Sequence, residues 1–430
     1  MVIVDQGESV NDIPHLTIDR SLRELERARS LIPGGVLGIR RPYNFVEGEY
    51  PVFFREGRGG RVTDVDGNEY IDFLCGYGPI ILGQREQEVD DAVIEQIRER
   101  GFCFSLTQEV QNELAQKIVD LMPCAQMAVF VKTGSDATTT AVRLARGYTG
   151  RTKVIRCGYH GWHDWCVEVK GGIPEKLYED VHEFEYNRPD QLADLLGTHG
   201  ADTAAVIITP LGHPLAEKMQ EPAPGFLAEV KRLAELHGAV LIFDEVRTGF
   251  RVSIPGAGEH YGVTPHLAVY GKAMANGYSI AAVCGRRDIM KTGEKEVFIS
   301  STFFPNSLSY VAALTTIGIL QRDRVLDAIH DKGRSYIDRV QAAIDRGGYF
   351  ERIGAEISGI PPMSFITFAR DEQKRYKARR ELFYTCLIRR GVFQQPFHHG
   401  YICYRHTDED LDYTVGAIDE ALAIVARECP

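Results

Sequence analysis

Between about residue 105 and residue 290 the chain alternates two rhythms. Strand-like, largely apolar segments occur in AVFV at 128–131, VI within KVIRC at 153–157, AAVIITP at 204–210 and AVLIFDEV at 239–246. Between them, apolar positions recur three or four residues apart. Runs that are apolar at nearly every position fit strands covered on both faces. Strands of that kind alternating with helices predict a mainly parallel sheet with helices on either side. Upstream, Leu22, Leu25 and Ala28 share one face of a helix that stops at Pro33-Gly34-Gly35. In GRVTDVDGNEYIDF the pair Asp66-Gly67 separates two strand-like runs and predicts a hairpin. Beyond about residue 310 the pattern changes to helix (324–344), strand (363–369), helix (374–390), strand (400–405) and a last helix. The expectation is an α/β protein in three parts. Residues 61–310 form a large domain, and residues 311–430 a smaller α+β domain that residues 1–60 complete in space.

The 430 residues suffice for such a pair of domains, and 44% hydrophobic with 25% charged residues is an ordinary soluble composition. Forty-nine basic against 60 acidic residues, net −11, argues against nucleic acid and anionic membrane as partners. No apolar run approaches the ~20 residues of a membrane-spanning helix. The opening MVIVDQGESVNDIPHL has no basic-then-apolar leader. Nine cysteines without a C-x-x-C pair read as reduced thiols of a cytoplasmic protein, with no metal site expected.

Three stretches place reactive groups at strand ends, where open α/β sheets bind their ligands. In VFVKTGSDATTTAVRLARGYTG a strand runs into Thr133-Gly134-Ser135-Asp136. Helical spacing follows at Ala141, Leu144, Ala145 and Tyr148. Free N–H groups at such a helix start suit a phosphate, although a plain N-cap accounts for the stretch as well. In LIFDEVRTGFR, Asp244 ends an apolar strand; it is either a poorly hydrated functional carboxylate or a structural turn cap. In HLAVYGKAMANG, Lys272 ends another; it is either a solvated turn lysine or a buried amine. A phosphate cradle, a strand-end acid and a strand-end lysine together are the fixtures of a pyridoxal 5'-phosphate (PLP) site. There the lysine bonds the aldehyde and the acid keeps the pyridine nitrogen protonated. Tyr159, in RCGYHGWHDW, is placed to stack on the ring.

The succession PGGV, DVDGNEYIDF, GPIILG, VKTGSDAT, RLARGYTGR, YHG, DEVRTGFR, YGVTP, YGKAMANG and GRRDIM resembles class-III (fold-type I) aminotransferases. Within them it most resembles the glutamate-1-semialdehyde 2,1-aminomutases. The resemblance runs from about residue 20 to 420. It implies PLP as cofactor and a large domain built on a mainly parallel seven-stranded sheet. It also implies Lys272 as the Schiff-base lysine, Asp244 as the pyridinium partner, Val246 beneath the ring and Tyr159 above it. Gly134 and Ser135 match the phosphate pair. Thr302, in SSTFFPNS, matches a phosphate ligand supplied by the partner subunit, which implies a homodimer with shared sites.

The departures from the aminomutase concern substrate. Arg41 is matched, but the serine before it is lost, and Phe397-His398-His399 replaces a Phe-Glu-Ala. A short KGGIPEKLYED replaces a long gating loop. Trp162 and Trp165 follow the stacking tyrosine and either meet substrate or line a core. A short lid argues against retaining an intermediate for amino migration. The expectation is therefore transamination from an amino-acid donor to a small carbonyl acceptor, in a biosynthetic setting. The acceptor expected is an oxidised amino sugar or aminocyclitol, with Arg41, Trp162, Trp165 and His398 on the substrate side. An aminomutase, an epimerase and an inactive dimeric binding protein are the alternatives.

Overall fold

The computed structural model describes residues 9–212 and 217–430. Three sheets organise them. The hairpin at Asp66-Gly67 joins β2 (Arg61–Asp64) to β3 (Glu69–Asp72), with β1 (Phe54–Arg58) on the outer side of β2. Its turn is closed by Asp64, whose Oδ1 accepts the backbone N–H of Asp66, Gly67 and Asn68 at 2.8–2.9 Å. The main sheet holds β4 (Met127–Val131), β5 (Lys153–Cys157), β6 (Val181–Glu183), β7 (Thr203–Ile208), β8 (Val240–Asp244), β9 (Leu267–Tyr270) and β10 (Ala281–Gly285). These seven strands run in the order β4-β10-β9-β8-β7-β5-β6. Every pairing is parallel except those of β10 with β4 and β9. The carboxyl ends of β4, β5, β7, β8 and β9 therefore meet on one edge.

The uninterrupted apolar runs have a direct cause. All six residues of β7 are buried. Ala205 and Ile207 pack with Ala141, Leu144, Ile242 and Val269 on one face. Val206 and Ile208 pack with Leu241, Phe243, Phe226 and Val230 on the other. A strand with helices on both faces is apolar at nearly every position, Thr203 at the start of β7 being the exception.

The far end of the chain returns to the beginning. After helices Ser307–Arg322 and Val325–Gly347, β11 (Ala355–Ile360) and β12 (Met363–Phe368) pair antiparallel. After helix Arg375–Arg389, β13 (Val392–Phe393) adds in parallel to β3, and β14 (Gly400–Tyr401) adds to β12. The helix Asp408–Glu428 closes the fold, its start capped by Thr407 and Asp410 in a reciprocal box. The sheet shared by both ends of the chain thus reaches out to Asp72. All nine cysteines are free thiols. Among the described residues, no helix is long and apolar enough to cross a membrane.

Candidate active site

The site lies on the shared carboxyl edge of the main sheet. At the end of β8, Asp244 is 6% exposed. Its Oδ2 lies 2.8 Å from Nδ1 of the buried His160, and its Oδ1 accepts the backbone N–H of Val246 at 3.1 Å. Nε2 of His160 faces the carbonyl of Cys157 at 3.2 Å. Both ring nitrogens thus point at oxygen acceptors, which fixes the ring and aims the carboxylate behind it. His160 was not singled out from sequence. Its only signal is its place between the aromatic Tyr159 and Gly161, immediately after β5.

At the end of β9, Lys272 opens a tight turn (Lys272–Ala275) and holds a positive φ of +40°. Such a conformation is uncommon for a side-chain-bearing residue and typical of functional turns. Asn276 anchors the turn: its Oδ1 accepts the N–H of Ile81 and Leu82, and its Nδ2 donates to the carbonyl of Gly83. Burial holds the Lys272 amine down to about 7, helped by the charges of Arg247 and Arg251 and opposed by Asp244. Lysine so placed has a substantial share of free amine at neutral pH, fit to attack a carbonyl and to carry a proton.

At the end of β4, Thr133 and Asp136 form a reciprocal capping box for helix Gly134–Thr149. The first amide groups of the helix have no partner within it. A Cβ on Gly134 would lie 3.0 Å from Cγ1 of Val246, so glycine here lets the helix start approach the floor of the site. Residues 159–162 cover the same spot. The N–H of Trp162 donates to Ser135 Oγ at 3.2 Å, and Thr138 Oγ1 donates to the carbonyl of His160 at 2.7 Å. A Cβ on Gly161 would fall 2.4 Å from Ser135 Oγ. Gly134, Ser135, Asp244, Val246 and Lys272 are thus brought together, with Tyr159 exposed in the loop above.

The other candidates separate. Trp165 is 8% exposed in the core under the helix and donates its Nε1–H to Thr139 at 2.8 Å, whereas Trp162 is 70% exposed. The two indoles do not form a common face. Arg41 turns back on its own loop, its Nε donating to the carbonyl of Val36 at 3.4 Å. Its neighbour Arg40 lies over the ring of Tyr77 at 5.3 Å, and Tyr77 packs edge-on against His398 at 5.3 Å. Burial first, then the charge of Lys272, lowers His398 to about 3, so its ring is neutral. Thr302 is exposed in a cleft of about 670 Å³, with Phe104, Val129, Phe130, Ile299 and Tyr310 among its lining. Ligand atoms of the buried Cys75, Cys403 and His406 lie within 4.8 Å of one another, a cluster no C-x-x-C spacing announces.

The donor set fits PLP. A helix start with free amides takes a phosphate, a fixed carboxylate at a strand end meets a ring nitrogen, and an unpaired amine stands beside them. Comparison with known proteins agrees. The family profile described as aminotransferase class-III matches residues 43–421. The chain is 59% identical over 412 residues to the 3-aminobutyryl-CoA aminotransferase of Cloacimonas acidaminovorans (strain Evry), covering 96% of this chain and 99% of that one. It is 33% identical to the glutamate-1-semialdehyde 2,1-aminomutase of Syntrophobacter fumaroxidans, covering 96% and 100%. The solved structure of the PLP form of the Sphingopyxis sp. MTA144 FumI protein superposes with a TM-score of 0.89 at 31% identity, covering 95% and 97%.

Proposed function

The chain belongs to the class-III aminotransferase family and is a PLP-dependent, fold-type I enzyme. From that premise we propose that it exchanges an amino group between the 3-position of a short acyl thioester, of the 3-aminobutyryl-CoA kind, and a 2-oxo acid. The observation that carries the substrate class is 59% identity, over nearly the whole of both chains, to an aminotransferase of that name. Of the grounds for an amino-sugar acceptor, the tryptophan pair falls away, because Trp165 is turned into the core.

The bound PLP supplies an electron sink for the pair left when the substrate C–H bond ionises. In this reading Lys272 holds the cofactor and afterwards moves the proton at the reacting carbon, for which a free amine at neutral pH is needed. Asp244 would meet the pyridine nitrogen, with His160 keeping that carboxylate from rotating away. Val246 would form the floor and Tyr159 the cover, and the amides of Gly134 and Ser135 would receive the phosphate. The working unit is a homodimer in which Thr302 serves the partner's phosphate. Its exposure in a cleft that also holds the exposed Phe104 supports that placement.

Half-reactions test the reading. Holoenzyme is mixed with 3-aminobutyryl thioester, glutamate-1-semialdehyde or oxidised aminoglycosides, and conversion of the cofactor to its amino form is followed. Conversion by the thioester, with the 3-oxoacyl thioester as product, is the expected result. Preference for glutamate-1-semialdehyde with the nitrogen kept in the same molecule would make the protein an aminomutase instead.

A further inference from the structure

Two arginines of the stretch DEVRTGFR are buried close to Lys272 without using all their donors. Arg247, 7% exposed, gives Nη2 to the carbonyl of Leu211 at 2.5 Å. Arg251, fully buried, gives Nη2 to the carbonyl of Gly78 at 2.7 Å. Among the described residues nothing accepts from Arg247 Nε, from Arg251 Nε or from Arg251 Nη1. The hydroxyl of Tyr401, over whose ring the Arg251 guanidinium lies at 4.6 Å, is unpartnered as well. Buried guanidinium donors left unpaired are expensive, so a fold keeps them where an acceptor arrives.

The acids at hand do not supply that acceptor. Asp244 is taken up by His160 and the Val246 amide. Glu245 accepts from the Thr248 hydroxyl and from the amides of Ala257 and Gly258. Lys272 and Arg247 thus share one committed carboxylate, with Arg251 adding its charge at Lys272. The positive field is felt both at Lys272 and, from Arg247, at His398 on the substrate side. The cofactor phosphate has its own cradle at the helix start after β4, whereas Arg247 leans toward the end of β7 through Leu211.

We propose that Arg247, backed by Arg251 and Tyr401, is the anion subsite that receives the carboxylate of the 2-oxo acid or its amino-acid counterpart. This deepens the functional reading above and rests on it. An aminotransferase uses one site for two substrates in turn. The acyl thioester has no carboxylate, so its partner acid needs a cation of its own. Arg41, expected on the substrate side, gives its Nε to the carbonyl of Val36 in its own loop. A planar guanidinium with a free edge suits a carboxylate.

The test compares the two half-reactions in holoenzyme carrying Arg247→Met, with Arg247→Gln as a second variant should the first fail to fold. The amino form of the enzyme is given pyruvate, and the PLP form is given 3-aminobutyryl thioester. The cofactor's absorbance is titrated with pH alongside. The expected result is a KM for pyruvate raised about 10–100-fold, the loss of one charge-assisted contact, and a much smaller change for the thioester. An unchanged KM for pyruvate overturns the subsite. Equal losses in both half-reactions, with a displaced cofactor titration, overturn it too, because Arg247 then acts on the cofactor. If wild type converts neither substrate, the functional reading fails rather than the subsite.

Discussion

The two halves of the site are built differently. The cofactor half stands on the ends of β4, β5, β8 and β9, strands of one sheet hydrogen-bonded through every register from β4 to β5. Its charged groups are pinned: Asp244 has two partners, and the turn of Lys272 is anchored by Asn276. The substrate half is assembled from residues 38–41, 75–78 and 398–401, short segments drawn from both ends of the chain. Cys75 and Tyr77 there hold positive φ angles of 48° and 70°, and buried donors of Arg251 and Tyr401 have no partner among the described residues. A sheet edge can hold a carboxylate and an amine in fixed relation. Loops carrying unspent donors can be changed without disturbing it. On the proposed reading, chemistry is fixed by the first half and specificity by the second.

Breaking the cofactor half should have the largest effect. Asp244→Asn is expected to leave the fold intact and to reduce turnover by about 10²–10⁴-fold, because a neutral amide no longer holds the ring nitrogen protonated. Steady-state rates together with a thermal unfolding curve check both parts. Turnover within threefold of wild type would remove the carboxylate from the mechanism.

A smaller loss should follow from His160→Asn, which shortens the group that pins Asp244. One charge-assisted hydrogen bond is worth about 1.5–3 kcal/mol, so about 10–100-fold in rate is expected, with KM little changed. A loss confined to KM would place His160 on the substrate instead.

The smallest effect sharpens the boundary between the halves. With cofactor removed, Lys272 should be acylated with a pH midpoint near 7, reading the free amine above that pH and the unreactive ammonium below it. Exposed lysines should respond near about 10.4. Arg247→Met should raise the Lys272 midpoint, since a neighbouring cation is lost. Asp244→Asn should lower it, since the stabilising anion is lost. Mass-spectrometric labelling across pH distinguishes these directions.

The same division governs what the sequence disclosed. The helix–strand alternation gave the mainly parallel sheet because buried strands must be apolar on both faces. Lys272 and Asp244 stood out as charges ending such runs. His160 did not, because its partner lies 84 residues away and a single histidine in a loop has no periodicity. The antiparallel direction of β10 was also hidden, since strand direction leaves no mark on an apolar run. On the substrate side, Arg40 and Arg41 are adjacent at a short 3₁₀ turn, which sends consecutive side chains about 120° apart. Only coordinates show which one leans on Tyr77. Trp162 and Trp165 looked like a pair, yet burial separates them. Arg247 read as part of a motif, because an unpartnered donor is a property of surroundings.

The most direct test of the account is where the cofactor is held. Holoenzyme is reduced with borohydride, digested, and mapped by mass spectrometry. The account predicts one phosphopyridoxyl group per chain, on Lys272 in the peptide containing YGKAMANG. A label on any other lysine, or no label in a protein that still transaminates, would contradict it.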